Sequence, residues 1–259
     1  LVGVFAAVAY FALSVVGSAQ AQNNALDFAP GATADASDAY VSFGATSALG
    51  LSTFTIETWF KREGTGVANS TGSGGIASLI PLVSKGAPQA DGAGCPTGDG
   101  RCDANYVLGI NTAGNVLAAD FEDKATGLNH PISGVTPILT GTWYHAAATY
   151  DGTTWRLYLN GQLDAEVVVG AFTPRDDSLQ YAGLATMLTT TGAVLGFFDG
   201  VLDEPRVWNT ARTAAQIRAT MNVENPVDAA LVARWGLDEG SGTTVADSAG
   251  TAQNGTIGG

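Results

Sequence analysis

Short runs of alternating apolar and polar residues, separated by turn residues, fill most of this chain. From residue 54 to 61 the alternation is strict: Phe54, Ile56 and Phe60 fall on one face of an extended strand, and Glu57, Trp59 and Lys61 on the other. Residues 39–43, 78–84, 105–111 and 116–121 read as further strands, and residues 64–75 as a loop of Gly, Ser and Thr. The clearest stretch is a three-strand meander over residues 143–150, 155–159 and 162–169. Its joints, Asp151-Gly152 and Asn160-Gly161, suit the positive φ of tight hairpin turns. Residues 200–208 form another strand, in which Pro205 lacks an N–H and must face an edge or a bulge. Thr213-Ala-Ala-Gln216 has the spacing of a capping box and opens one short helix reaching about Met221. Residues 231–237 return as a strand. Strands do not alternate regularly with crossover helices, which argues against a parallel α/β sheet. The pattern predicts an all-β fold, a two-sheet antiparallel sandwich with one short helix.

The N-terminal residues break this pattern. Residues 1–16 are almost wholly apolar, and small residues follow in Ala19-x-Ala21 spacing. That is the form of a signal peptide, and the run is short of the ~20 apolar residues of a bilayer span. Residues 1–22 are therefore expected to be a cleaved leader, or alternatively a retained hydrophobic helix that packs subunits into a filament or surface layer. The folded domain is expected over residues 23–259, as part of a longer chain continuing past Gly259. Export makes a Cys95–Cys102 disulfide the expectation, since these two cysteines flank a turn-rich spacer.

The 259 residues are 46% hydrophobic and only 14% charged, a packed rather than a disordered composition. The net charge of −13 repels phosphate backbones and anionic lipid, so neither nucleic acid nor a membrane surface is an expected partner. The expected location is secreted or at the cell surface, with no membrane span unless the leader is retained.

Several motifs together carry a resemblance. Residues 25–28 with 39–41, Phe54-Thr-Ile-Glu-Thr-Trp59, Gly141-Thr-Trp-Tyr-His145, Tyr150-Asp-Gly152 and Leu157-Tyr-Leu-Asn-Gly161 occur in this order. They are followed by residues 198–209 and by Trp235-Gly-Leu-Asp-Glu-Gly-Ser-Gly242. This series resembles the laminin-G-like jelly-roll domains of bacterial surface proteins, within the concanavalin A-like superfamily. The resemblance implies a jelly roll related to pentraxins and legume-lectin-like folds. It also implies a non-catalytic module for adhesion, or for recognition of extracellular glycan or protein. The fold hosts enzymes too, so function has to be argued from a site.

Glycoside hydrolysis needs two converging carboxylates. The Glu-x-Asp-x-x-Glu spacing of glucanases with this fold does not occur. Asp203-Glu204 and Asp238-Glu239 are adjacent pairs, which in a regular strand point to opposite faces. No Gly-x-Ser-x-Gly elbow is present, and His145 reads as a packed strand residue. Catalytic residues are accordingly not expected.

For ligand binding, Glu57 and Trp59 share one strand face, and Glu204 and Arg206 share another with Trp208. On neighbouring strands these would line a groove suited to a sugar ring. The competing expectation is that Arg206 pairs with Glu57 or Glu204 in the interior, because a buried charge requires a partner. The resemblance also suggests calcium. The corresponding pentraxin-type loop would fall near residues 184–191, which hold no acid, and Asp99, Asp103 and Asn105 are the alternative donors.

Overall fold

A computed structural model describes residues 25–28, 39–89, 94–250 and 252–259. The expected leader, residues 1–22, lies outside them. Two antiparallel sheets face each other. The first runs, in spatial order, β1 (Leu26–Asp27), β14 (Gly200–Trp208), β3 (Phe54–Arg62), β8 (Trp143–Tyr150), β9 (Thr154–Leu159) and β10 (Gln162–Val168), with β15 (Leu231–Arg234) also paired to β14. The second runs β16 (Thr244–Val245), β17 (Gly255–Gly258), β2 (Tyr40–Gly44), β11 (Ala182–Leu184), β4 (Leu79–Lys85), β5 (Tyr106–Asn111), β6 (Val116–Asp120) and β7 (Ile132–Pro137). A small ribbon pairs β12 (Met187–Leu188) with β13 (Val194–Leu195). The all-β jelly-roll sandwich expected from the pattern is the fold observed.

The core lies between the sheets and draws on alternate positions of each strand. Phe54, Ile56 and Phe60 of β3, Ala146, Ala148 and Tyr150 of β8, and Trp155 and Leu157 of β9 meet Ile80, Leu82, Leu108, Ile110 and Leu117 from the opposite sheet. Each large side chain buried this way contributes roughly 1.5–3 kcal/mol. The meander β8–β9–β10 is present, but its two turns work differently. Asn160 and Gly161 both adopt positive φ, at 50° and 71°. At Asp151-Gly152 only the glycine does, at 99°, while the Asp151 carboxylate accepts from the Thr153 and Thr154 N–H groups. That side-chain turn replaces the backbone geometry expected of the aspartate.

The centre of the face of the first sheet turned away from the core is covered. Helix α1 (Ala214–Thr220) lies across it, opened by the Thr213/Gln216 capping box. Ile217 packs on Ala147 and Tyr158, so the small alanine side chain at the middle of β8 makes room for the helix. Glu57 and Trp208 are consequently fully buried.

Candidate functional site

Strands β3 and β14 are neighbours, and a bulge in β14 decides which side chains meet. Asp203 pairs with Trp59 and Arg206 with Glu57, so Glu204 and Pro205 together oppose the single residue Thr58. Pro205 thus sits in a bulge, where its missing N–H costs no ladder bond. Glu204 adopts φ 53°, a left-handed conformation that is strained for a residue with a side chain. The extra residue changes the parity of the strand. Asp203, not Glu204, shares the outward face with Trp59, and Asp203 and Glu204 border one pocket instead of opposite faces.

The bulge also builds a buried ion cluster. Arg206, 1% exposed, donates from Nε and Nη2 to Glu204 Oε2 at 3.2 and 2.7 Å. Its remaining N–H groups serve Thr220 O at 2.8 Å and Val223 O at 2.6 Å, and Nη1 stands 3.7 Å from Glu57 Oε1. Arg234 grips Glu204 from β15, through Nε at 2.9 Å and through Nη2. Trp59 Nε1 donates to Met221 O at 2.7 Å. Arg206 and Trp59 therefore bind the carbonyls of Thr220, Met221 and Val223 at and just past the end of α1, and the arginine's charge suits that end of the helix.

Beneath this layer Glu57 accepts from Trp208 Nε1 at 3.0 Å, and the Arg212 guanidinium stacks 3.7 Å above the Trp208 ring. Burial pushes the Glu57 carboxyl above its ordinary range, against the pull of Arg206 and the Trp208 N–H. His145 Nε2 is 3.8 Å from Glu57 Oε2, and burial with Arg206 nearby holds the imidazole down to about 3, so it is neutral at physiological pH. Two expectations stood for Glu57, a groove shared with Trp59 or an interior in which Arg206 pairs with Glu57 or Glu204. The structure seals Glu57 under Trp208 and Arg206, because α1 covers this part of the sheet.

What remains open is a pocket of about 430 Å³ beside the cluster. Trp59 and Trp143 form its aromatic surface, Asp203, Glu204 and Arg206 come from β14, and residues 221–224 form the wall. Trp143 is 40% exposed. Burial, with repulsion from Glu204 and Asp238, pushes Asp203 up to about 7. Three of the four expected ligand-binding residues, Trp59, Glu204 and Arg206, thus meet at one pocket. Sequence reasoning missed Trp143, Asp203 and Glu224. Pro205 was the available signal for Asp203, since a bulge there reverses strand parity.

The three expected calcium donors each have partners within the protein. The Asp99 carboxylate pairs with Arg101 at 2.7 Å, Asp103 pairs with Arg175 at 2.9 Å, and buried Asn105 bonds the Leu51 backbone at N–H and C=O. Among the described residues no group of three or more His, Cys, Asp or Glu is placed to hold a metal ion. In this structure the Asp99 and Asp103 carboxylates already answer guanidinium groups. Cys95 and Cys102 are disulfide-bonded, with Cα atoms 6.0 Å apart. No helix of the described residues is long and apolar enough to cross a membrane.

Comparison with known proteins agrees with this architecture. Mouse pappalysin-1 is 28% identical over 172 residues, which is 65% of this chain. The human protein is 26% identical over the same length, and the chain spans about 10% of either. A candidate carbohydrate-binding protein from Bacteroides ovatus superposes with a TM-score of 0.58 at 23% identity, covering 86% of this chain and 56% of that one. The CBM40 domain of Ruminococcus gnavus IT-sialidase, bound to α2,3-sialyllactose, gives 0.55 at 16% identity, covering 75% of this chain and 95% of that one. At these identities the likeness is one of fold. The laminin-G-type family model described as the concanavalin A-like lectin/glucanases superfamily matches residues 35–218, and the chain belongs to that family.

Proposed function

We propose that this protein is a non-catalytic glycan-recognition module whose ligand enters the pocket between Trp59, Trp143 and residues 221–224. The observation that carries the proposal is an exposed tryptophan and a half-buried one at the mouth of a pocket that also presents carboxylates and an amide, Asn222. Aromatic faces stack on the C–H surface of a sugar ring, and fixed polar groups then read its hydroxyls. Likeness to a carbohydrate-binding domain of the same fold supports this reading. The rigid floor does too, because Arg206 and Glu204 hold one another and need no ligand to order them. Attachment to an extracellular surface is the proposed setting. It is supported by the disulfide and by the leader expected at residues 1–22, and intact-mass analysis of exported protein should find a chain starting at Gln22. Assembly through a retained leader is the alternative, and a mature chain still carrying residues 1–21 would favour it. A glycan array probed with the wild type and with Trp143→Ala, with and without calcium, tests the module. The proposal expects a defined set of glycans that the variant no longer retains, and calcium independence.

One observation favours a second reading, a glycan-cleaving site: Asp203, at about 7, lies in the range of a proton donor. Against it, Glu204 beside it is held by Arg206 and Arg234, and Glu57 is sealed. Product analysis on any glycan that binds separates the two readings. Cleavage abolished by Asp203→Asn would establish the enzyme, and binding without cleavage supports the module.

A further inference from the structure

The pocket offers carboxylates, and the guanidinium groups beside them are already engaged. Arg206 makes four hydrogen bonds, two to Glu204 and two to backbone carbonyls, stands 3.7 Å from Glu57, and is 1% exposed. Arg234, behind Glu204, is spent in the same way on Glu204, Asn225 and Ser248. Lys61 reaches the neighbourhood, but it pairs with Glu63 at 2.6 Å. Asp203, Glu204 and Glu224 all border the space, and the chain as a whole carries a net charge of −13. Glu204 is answered by both arginines, so an anionic sugar entering here would meet Asp203 and Glu224 and find no guanidinium able to turn toward it. A positively charged group would meet the reverse situation. The Lys61 ammonium already lies 5.7 Å from the centre of the Trp143 ring, so that indole has a face on which an ammonium group rests.

We propose that the pocket selects a sugar bearing a protonated amino group, a hexosamine unit that is not N-acetylated, over neutral and anionic sugars. This rests on the pocket being the glycan site. The ring stacks on the tryptophans, and the ammonium donates to Glu224 and Asp203. Acetylation removes both the charge and two of the three N–H donors, so it should weaken binding strongly.

The test is calorimetric titration of the full chain with four sugar probes, of matched length where length applies, and one non-sugar cation. These are a glucosamine tetramer, the N-acetylglucosamine tetramer, a cellotetraose and α2,3-sialyllactose, with choline as a non-sugar ammonium. The glucosamine tetramer is expected to bind at least tenfold tighter than its acetylated form, and sialyllactose weakest. Glu224→Gln, at an exposed loop position, and Asp203→Asn should each reduce that preference several-fold, while Trp143→Ala weakens every sugar. Choline lacks N–H donors and should bind at least tenfold more weakly than the tetramer; equal binding would contradict the sugar assignment. Trp143-dependent binding of sialyllactose or the acetylated tetramer, as tight as that of the amine, would overturn the selectivity and leave the glycan site standing. If no probe binds in a Trp143-dependent way, the site itself is wrong.

Discussion

Glu204 and Arg206 lie two positions apart on one strand and form an ion pair at 2.7 Å across a bulge. In a regular strand such residues would stand side by side on one face, a full pleat apart. Here the left-handed backbone at Glu204 turns the carboxylate back, so that it meets Arg206 from its own strand and Arg234 from β15. The same pair supports α1, since Arg206 also binds the carbonyls of Thr220 and Val223.

Removing the anion should therefore cost more than a surface pair would. Glu204→Gln leaves two buried guanidinium groups facing an amide, and a loss of roughly 3–5 kcal/mol is expected in denaturant unfolding. Lys124→Ala, which breaks exposed pairs with Asp176 and Asp177, should cost less than about 1 kcal/mol.

The two pocket tryptophans should separate in their effects. Trp143 is 40% exposed and bonds nothing in the fold's interior, so Trp143→Ala is expected to abolish glycan binding with little change in melting temperature. Trp59 donates to Met221 O at the end of α1. Trp59→Ala should lose binding and also lower stability by about 1–3 kcal/mol, because that carbonyl then lacks its indole donor.

Stability should depend on pH through a buried acidic pair away from the pocket. Asp120 accepts from Thr71 Oγ1 at 2.5 Å and from His130 N at 2.9 Å, and burial raises it to about 7. Burial raises Glu122 to about 8, with Asp103 and Asp120 adding repulsion and Arg175 opposing. Each folded group keeps a proton that the unfolded chain releases near its ordinary value of 3.8 or 4.5. Their contribution is thus complete below those values and is lost as pH rises through about 7 and 8. His145, depressed to about 3, works oppositely: its contribution is present above an ordinary 6.5 and is lost as pH falls toward 3. Comparing wild type with Asp120→Asn isolates the acid. The melting-temperature advantage of the wild type should shrink steadily from pH 5 to pH 8, and an advantage that grows would contradict the assignment.

The disulfide should act locally. It closes a short ring around the 3-10 turn Gly100–Cys102, so reduction is expected to cost about 2 kcal/mol and to raise amide exchange mainly over residues 94–105. Exchange rising equally in β3 and β8 would show that the loop supports the core.

Most of the sandwich was legible because β3 alternates strictly, the other central strands are short apolar runs bounded by turn residues, and the meander turns carry Asn-Gly and Asp-Gly. The helix was legible from Thr213 and Gln216 alone. What escaped was short or irregular. Strand β7 contains Gly134 and Pro137, and β11 is only Ala-Gly-Leu, so neither shows a period. The site was half legible for a related reason. Alternation grouped Glu57 with Trp59 and Glu204 with Arg206, but one bulge residue moved Asp203 into the pocket. Burial of Glu57 depended on α1, which arrives from 150 residues away in sequence and leaves no mark on the pattern of β3.

The pocket beside Trp59 and Trp143 should bind glycan without cleaving it. Calorimetric titration of wild type and Trp143→Ala with an array-selected oligosaccharide, followed by chromatography of the recovered sugar, tests it most directly. Saturable binding by the wild type, at least tenfold weaker binding by the variant, and sugar recovered intact are expected. Equal affinity in both proteins, or a shortened sugar that Asp203→Asn no longer produces, would contradict this.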